Sequence, residues 1–287
     1  MTSLRFAILG AGAIGGLIGA ALVRAGADVV LLLRPETLAG YQGRIAVESV
    51  VLGDFEVEVP ALERLDRDVD VLWVAVKATL LDAALELAAP ERVGSATVIP
   101  LMNGVDHVAI LRERYVDVVA GAIRVESERG AAAHIVQRSP FLSIELAGAE
   151  PVVVELRAAG IDARVRRDEL SLLWDKLAVL APVALATTAF DVPLGAVRDD
   201  IHYQGCQHEV LAVARALGAQ IDETALRKLL ERAPAEMRSS MQKDVAAGRA
   251  PELDAIAGPI LRSGSLHDIP VPHTQELARL VAARAAA

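Results

Sequence analysis

The chain lacks both a set of cysteines and any block of basic residues. Its one cysteine, Cys206, rules out a disulfide framework, so the sequence predicts a small buried thiol and a reducing, cytoplasmic compartment. A formal net charge of −9 without a Lys/Arg block argues against nucleic acid or an anionic membrane as the main partner. The six histidines lack ligand spacing, since His202 and His208 fall on different helix faces, and no metal site is predicted.

Apolar residues are abundant, at 53% of 287, which is enough for two domains with their own cores. The most informative stretch is residues 5–34, which reads as strand, glycine turn, helix and strand. In a G-x-G-x-x-G turn the glycines permit the tight bend, the approach of a pyrophosphate and close helix packing, and the phosphates sit on the helix N-terminus. The sequence therefore predicts dinucleotide binding by Gly10, Ala11, Gly12, Ala13, Ile14 and Gly15.

A second interpretation of this stretch is a signal peptide or a membrane span. Residues 6–23 form an uninterrupted apolar run of membrane length behind Arg5. The glycines just after the first run, the alternating strand after Gly26 and the expected absence of any further membrane-length run all favour the dinucleotide interpretation. No contact with a membrane is predicted.

The first part of the chain predicts an α/β domain over residues 1–167, a doubly wound sheet with an appended antiparallel edge. Residues 45–59 form two runs of alternating apolar and polar residues around Leu52-Gly53-Asp54, a pattern that indicates a hairpin. The other predicted strands lie at residues 29–33, 69–76, 97–101, 116–125, 134–138, 141–146 and 163–166, with helices at 80–87 and 151–159.

The second part of the chain, residues 168–287, has helical periodicity almost throughout. Helices are predicted at residues 168–190, 201–217, 222–247, 252–263 and 273–284. The chain therefore divides into a nucleotide-binding sheet domain and a helical domain.

Two polar residues follow buried strands of the predicted sheet directly. Lys77 comes after the strand at 69–76, and Asn103 follows the strand at 97–101. Ligands of such folds bind at the carboxyl ends of the strands, so both residues are candidates for cofactor contacts. A solvated surface lysine and a simple Asn103-Gly104 turn remain open as alternatives.

The end of the second strand bears on the choice of cofactor. A ribose 2′-hydroxyl calls for Asp or Glu at this position, whereas a 2′-phosphate calls for Arg. Arg34 is the first residue past the strand, which favours NADP, while Glu36 leaves NAD open.

Lys176 stands out in the helical part of the chain. Its neighbours three and four residues away include Leu172, Leu173, Val179 and Leu180, so it lies on an apolar helix face. Burial lowers the pKa of a lysine, which then donates a proton near neutral pH. A lysine at the rim of the face, or one paired with Asp175, is the alternative.

Together these motifs resemble the ketopantoate reductases (2-dehydropantoate 2-reductases) over nearly the whole chain. That family pairs a Rossmann domain with a helical domain like that of 6-phosphogluconate dehydrogenases. The resemblance rests on the glycine turn and on Val76-Lys77-Ala78, Leu101-Met102-Asn103-Gly104-Val105, Trp174-Asp175-Lys176-Leu177, Ser239-Ser240-Met241-Gln242-Lys243-Asp244 and Gly248-Arg249-Ala250-Pro251-Glu252-Leu253-Asp254.

The resemblance implies a role for each matching residue. Lys176 would be the general acid that protonates the carbonyl oxygen as NADPH delivers hydride to the carbon. Glu252 would hold the substrate and Lys176, and Ser240 would contact the substrate carboxylate. Lys77 and Asn103 would lie along the cofactor, with Asn103 also near the substrate.

The sequence departs from the family at three positions that meet substrate. Members usually carry asparagines four and eight residues after the lysine and again in the following loop, where this chain has Leu180, Ala184 and Leu194. A pocket built from amides rejects mismatched substrates strongly, so their loss changes selectivity.

The leading hypothesis is an NADPH-dependent reductase of a small 2-oxo acid, with ketopantoate and pantothenate biosynthesis as the family default. A less hydroxylated 2-oxo acid or carbonyl substrate is the rival. A dinucleotide-binding sensor without turnover is a third hypothesis, although the retention of Lys176, Ser240 and Glu252 disfavours it. A homodimer is left open as the assembly.

Overall fold

The computed structural model describes residues 4–286, and the chain forms two compact units. The first unit comprises the chain up to Met102 together with His107–Glu169. The second comprises Leu170 onward and also takes in Asn103–Asp106, a short stretch that the sequence assigned to the sheet domain.

The first unit alternates strands and helices along most of its length. Its strands are β1 (Arg5–Leu9), β2 (Asp28–Leu32), β3 (Arg44–Ser49), β4 (Phe55–Glu58), β5 (Ala61–Leu62), β6 (Val71–Val74), β7 (Thr97–Pro100), β8 (Gly121–Arg124), β9 (Ser127–Arg129), β10 (His134–Gln137), β11 (Ser143–Leu146) and β12 (Asp162–Val165). Its helices are α1 (Ala13–Arg24), α2 (Pro35–Ala39), α3 (Leu81–Leu85), α4 (Pro90–Val93), α5 (His107–Arg112) and α6 (Glu150–Ala158), with 3₁₀ turns at Ala78–Leu80 and Ala131–Ala133.

The main sheet of the first unit is parallel and has the strand order β5-β2-β1-β6-β7. The β1 and β6 strands are almost continuously apolar and buried, as expected for parallel strands covered on both faces. The predicted α/β fold class is confirmed. Because all strands of this sheet run the same way, the residues that follow β1, β2 and β6 meet at one edge.

The remaining strands form two further sheets rather than an appended edge. The predicted hairpin is confirmed as the antiparallel pair β3–β4, but it belongs to a four-stranded sheet of order β4-β3-β10-β9. A three-stranded sheet has the order β12-β11-β8. The single strand expected over residues 116–125 is divided, because Val118 bridges Val98 of β7 while β8 pairs with β11.

The second unit is helical in its described residues. Its helices are α7 (Glu169–Phe190), α8 (Leu194–Val197), α9 (Ile201–Ala216), α10 (Glu223–Arg232), α11 (Ser240–Ala246), α12 (Leu253–Leu266) and α13 (Pro272–Ala285). The single helix predicted over residues 222–247 was wrong, since α10 and α11 share that range. Pro234 forces the preceding Ala233 into an extended conformation (φ −60°, ψ 138°), which ends α10, and Ser239 then caps α11.

The packing of α9 against α13 buries the lone thiol. Cys206 is fully buried, as predicted, and burial raises its pKa to about 12. Beside it the buried Glu209 carboxylate accepts hydrogen bonds from the backbone N–H of His273 (2.8 Å) and of Thr274 (2.7 Å). A carboxylate on one helix thus caps the N-terminus of another, where negative charge is favourable.

Two apolar stretches bear on the membrane interpretation. Residues 6–23 fold as part of β1 followed by α1, rather than as one helix. Among the described residues α7 alone is long and apolar enough to cross a membrane, so the expectation of no further membrane-length run was wrong. However, 72% of its most apolar window is buried inside the structure, and a core helix meets the same criterion.

Candidate functional site

The glycine turn after β1 is sterically closed at two of its three glycines. Gly10 has φ +97°, and a Cβ there would lie 2.6 Å from Val76 Cγ1. A Cβ on Gly15 would lie 2.0 Å from the carbonyl oxygen of Gly10, so α1 can pack on β1 only through glycine. A Cβ on Gly12 meets nothing closer than the Ala75 carbonyl oxygen at 3.9 Å, so the chain is open to a ligand there.

The N-terminus of α1 is free of the features that would compete with an anion. Gly12 is the N-cap and offers no side-chain hydrogen bond, and the first turn carries no acidic residue. Early backbone N–H groups of a helix have no partner within the helix, and together with the helix dipole they favour a phosphate. Of the residues in the turn, Ala11 and Gly15 are buried, whereas Gly10, Gly12, Ala13 and Ile14 are half-buried.

Arg34 lies at the end of the neighbouring strand. The backbone N–H of Gly10 donates to the Leu32 carbonyl oxygen (3.3 Å), which ties the glycine turn to the end of β2. Arg34 follows as the exposed N-cap residue of α2, and Glu36 is exposed in that helix. Within the described chain the Arg34 guanidinium has no hydrogen bond or ion pair, which leaves its fork available to a phosphate.

Lys77 follows the strand on the other side of the turn. The backbone N–H of Ala75 donates to the Leu9 carbonyl oxygen (3.0 Å), so the end of β6 lies against the end of β1. Lys77 is half-buried two residues later, as the N-cap of the 3₁₀ turn. The glycine turn, Arg34 and Lys77 thus share one edge of the parallel sheet, as the sequence predicted.

Asn103 and Glu252 meet in the second unit, although they are far apart in sequence. The Asn103 Nδ2 donates to Glu252 Oε2 at 3.0 Å. Only 7% of the Glu252 surface is exposed, and the residue is the N-cap of α12. A buried carboxylate requires hydrogen-bond donors, and the Asn103 amide supplies one of them.

Lys176, Leu180 and Ala184 recur at four-residue intervals on α7, so they share one face of that helix. Lys176 and Leu180 are half-buried, whereas Ala184 exposes 1% of its surface. Leu194 begins α8 and is fully buried in the apolar core of the unit. Of the three residues that stand where the family usually has asparagine, Leu180 alone keeps appreciable accessible surface.

The motif that contains Ser240 begins a helix through its neighbour. Ser239 is buried, and its hydroxyl accepts a hydrogen bond from the Gln242 N–H (3.1 Å) and lies 2.8 Å from Thr187 Oγ1. Ser240 is therefore the first residue of α11 and is exposed. Sequence reasoning missed Ser239, although a serine three residues before a glutamine is a known signal for a helix start.

Comparisons with known proteins place this arrangement among characterised folds. Two family models match, one described as ketopantoate reductase PanE/ApbA over residues 6–148 and one described as its C terminal part over residues 169–285. A 2-dehydropantoate 2-reductase of Mycobacterium tuberculosis is 31% identical, with 96% of each chain covered.

Solved structures agree with these family models. A PanE/ApbA family ketopantoate reductase from Ralstonia eutropha JMP134 superposes with a TM-score of 0.87 at 28% identity, covering 99% of each chain. A D-mandelate dehydrogenase bound to NADH and anilino(oxo)acetate also reaches a TM-score of 0.87, over 99% of each chain. At 20% identity, that second likeness shows the shared fold alone.

Two alanine substitutions in the turn separate ligand binding from folding. Gly12→Ala leaves the stability to denaturant unchanged, because the new Cβ has room, but weakens dinucleotide binding about tenfold or more, because it occupies the approach of the pyrophosphate. Gly15→Ala lowers the stability by about 1–3 kcal/mol, because its Cβ overlaps the Gly10 carbonyl oxygen. Unfolding curves and titrations followed by NADPH fluorescence measure both effects. An unchanged affinity for NADPH in Gly12→Ala would contradict the assignment of the glycine turn to the cofactor site.

Proposed function

The chain belongs to the ketopantoate reductase family, and we propose that it catalyses the NADPH-dependent reduction of ketopantoate to pantoate. The observation that supports a reductase most directly is the open glycine turn at the start of α1, flanked at one sheet edge by Arg34 and Lys77. The relative from Mycobacterium tuberculosis, which aligns over nearly the full length, supports ketopantoate as the substrate.

The proposed cofactor is NADPH rather than NADH. A 2′-phosphate adds a dianionic group to the ribose, and a guanidinium without another partner binds such a group by charge-assisted hydrogen bonds. Arg34 is exposed at the end of β2, where the ribose of a dinucleotide lies in this fold. Glu36, two residues later, carries a carboxylate of the kind that binds the ribose 2′-hydroxyl of NADH, so some use of NADH is also proposed.

The proposed acid is Lys176. When bound, NADPH supplies the hydride that adds to the carbonyl carbon of the substrate. As that bond forms, the Lys176 ammonium donates its proton to the carbonyl oxygen, which becomes the hydroxyl of the product. A cation next to a developing alkoxide stabilises the transition state more than the ground state.

Glu252, Asn103 and Ser240 are proposed to orient the substrate. The Glu252 carboxylate is buried and held by Asn103, so it is a rigid acceptor for a substrate hydroxyl or for the Lys176 ammonium. Ser240 is exposed at the first position of α11, where its hydroxyl can donate to the substrate carboxylate. The proposed active residues therefore lie in helices α7 and α11, at the N-cap of α12 and at Asn103.

A second candidate function is the reduction of a less hydroxylated 2-oxo acid. It is favoured by Leu180, an accessible apolar residue one turn past Lys176 on the same helix face. A substrate hydroxyl facing a leucine loses its hydrogen bond to water and gains none, which disfavours ketopantoate relative to an alkyl analogue. Ala184 and Leu194, with 1% and 0% exposure, would act by keeping the wall behind Leu180 apolar.

The proposal also covers location and assembly. We place the enzyme in the cytoplasm, in keeping with its one buried cysteine, and we propose a homodimer as its assembly.

A panel of 2-oxo acids tested for NADPH oxidation distinguishes the candidate functions. Dinucleotide binding without turnover on any of them would favour a sensor instead.

The cofactor preference is tested at Arg34. Arg34→Ala is expected to weaken NADPH binding about tenfold or more while NADH binding changes little, because only NADPH carries the phosphate. Arg92→Ala, which removes an exposed arginine from α4, is the matched control. Equal losses for the two cofactors would refute the assignment of Arg34.

The acid is tested at Lys176. Lys176→Ala is expected to lower kcat about a hundredfold or more with NADPH affinity nearly unchanged, which is the usual contribution of general acid catalysis. Lys176→Arg keeps a cation that cannot release its proton near neutral pH and should also be impaired. Lys228→Ala, at an exposed site on α10, controls for the loss of a lysine. Full kcat in Lys176→Ala would mean that the proton comes from another group.

The substrate is tested at Leu180. Leu180→Asn is expected to shift kcat/KM toward ketopantoate, relative to its deoxy analogue, by about tenfold, the effect of one regained hydrogen bond. Leu180→Met keeps the pocket apolar and of similar volume, so it should leave the ratio unchanged. A wild-type enzyme that already prefers ketopantoate strongly would rule out the second candidate and leave ketopantoate as the substrate.

A further inference from the structure

The Asn103–Asp106 segment is held on α12 at both of its ends. At one end the Asn103 amide donates to Glu252, the N-cap residue of that helix. At the other end the Arg262 guanidinium, nearly three turns beyond Glu252 on α12, is hydrogen-bonded to the Asp106 carboxylate. These four residues thus belong to the second unit, although the chain on both sides of them belongs to the first.

Close backbone packing fills the space between these two ends. Gly104 has φ +86°, and a Cβ there would lie 2.2 Å from the carbonyl oxygen of Ala255, in the first turn of α12. Val105 packs against the apolar core of the unit. The segment therefore has little freedom to slide along the helix while both ends stay attached.

Arg262 reaches Asp106 along a path that a glycine keeps open. Its Nη1 also donates to Asp254 Oδ1 at 2.6 Å, two turns back on the same helix face. Gly258 lies between them, and a Cβ there would come within 2.5 Å of both Arg262 Nη2 and Asp254 Oδ1. Because Gly258 has no side chain, the Arg262 guanidinium can lie over it and reach Asp254.

We propose that Arg262 is a positioning residue: by holding Asp106 on α12, it keeps the Asn103 amide hydrogen-bonded to the Glu252 carboxylate. This inference rests on the proposed function, in which Asn103 and Glu252 orient the substrate. Arg262 acts through the segment and touches no reacting atom.

The exposure of these groups argues for positioning rather than for stability. The side chains of Arg262, Asp106 and Asp254 are 53%, 45% and 84% exposed. Ion pairs this exposed contribute little to the free energy of folding. A small displacement of an orienting group, by contrast, lowers the rate of a reaction substantially. Loss of Arg262 should therefore be visible in catalysis and almost invisible in unfolding curves.

The test breaks the contact between Arg262 and Asp106, here called the clamp, in two ways and includes a matched control. Arg262→Ala removes the guanidinium, and Gly258→Ala displaces it while every charge is kept. Both are expected to lower kcat for the preferred 2-oxo acid about tenfold with NADPH affinity unchanged and no fall in melting temperature, since alanine has the higher helix propensity at position 258. Arg279→Ala, which removes an exposed arginine of α13 paired with Glu276, should leave kcat unchanged.

A double-mutant comparison identifies the residue through which Arg262 acts. If the effect passes through Asn103, Arg262→Ala should lower kcat no further once Asn103 has been changed to Ala. Arg262→Lys should recover part of the lost kcat, since it restores one donor to Asp106. Full additivity of the two alanine variants, or wild-type kcat in Arg262→Ala, would overturn the inference.

Hydrogen exchange separates this inference from the proposed function. The backbone amides of the Asn103–Asp106 segment should exchange faster in Arg262→Ala than in wild type or Arg279→Ala. If wild type reduces no 2-oxo acid but this exchange still accelerates, the clamp exists and the proposed function has failed. If wild type is active and exchange is the same in all three proteins, the inference fails and the proposed function stands.

Discussion

The hydrogen bond between Asn103 and the buried Glu252 carboxylate is the interaction on which the candidate site depends. A carboxylate with 7% of its surface exposed needs donors, because an isolated charge in an apolar unit is costly. The Asn103 amide meets part of that need at 3.0 Å. The segment Asn103–Asp106 that carries this amide belongs to the second unit, although the chain on both sides of it belongs to the first. The need of a buried carboxylate for a donor is thus one reason for this path of the backbone.

The first unit is governed by a steric constraint instead. Helix α1 contacts β1 so closely that a single methyl group on Gly15 would overlap the Gly10 carbonyl oxygen. That close approach directs the N-terminus of α1 toward the sheet edge where Arg34 and Lys77 also lie. At Gly12, the proposed point of approach of the dinucleotide, the packing is open. The same short sequence therefore combines tight packing with an accessible helix end, as a dinucleotide site requires.

Sequence reasoning was most accurate where structure is local. Four strands of the parallel sheet, β1, β2, β6 and β7, follow from continuous apolar runs, whereas the two-residue β5 was not predicted; α7, α9, α12 and α13 follow from helical periodicity. It was wrong over residues 222–247, where the periodicity of α10 and α11 hid a break at Pro234. The later strands β10, β11 and β12 were located correctly, but their place in an appended edge and the single strand over residues 116–125 were wrong, because the choice of sheet depends on partners distant in sequence, such as Val98 for Val118.

The sequence by itself determined the family, the fold class and the glycine turn, because spacing within a few residues is enough to specify a turn and a helix end. It also marked Lys176 as unusual, since helical spacing shows which face a residue occupies. Only the tertiary structure decided that Asn103 pairs with Glu252 and that Arg262 holds Asp106. Those contacts join residues about 150 positions apart. Which donor reaches a buried charge is decided by how helices and loops pack, and no local pattern records it.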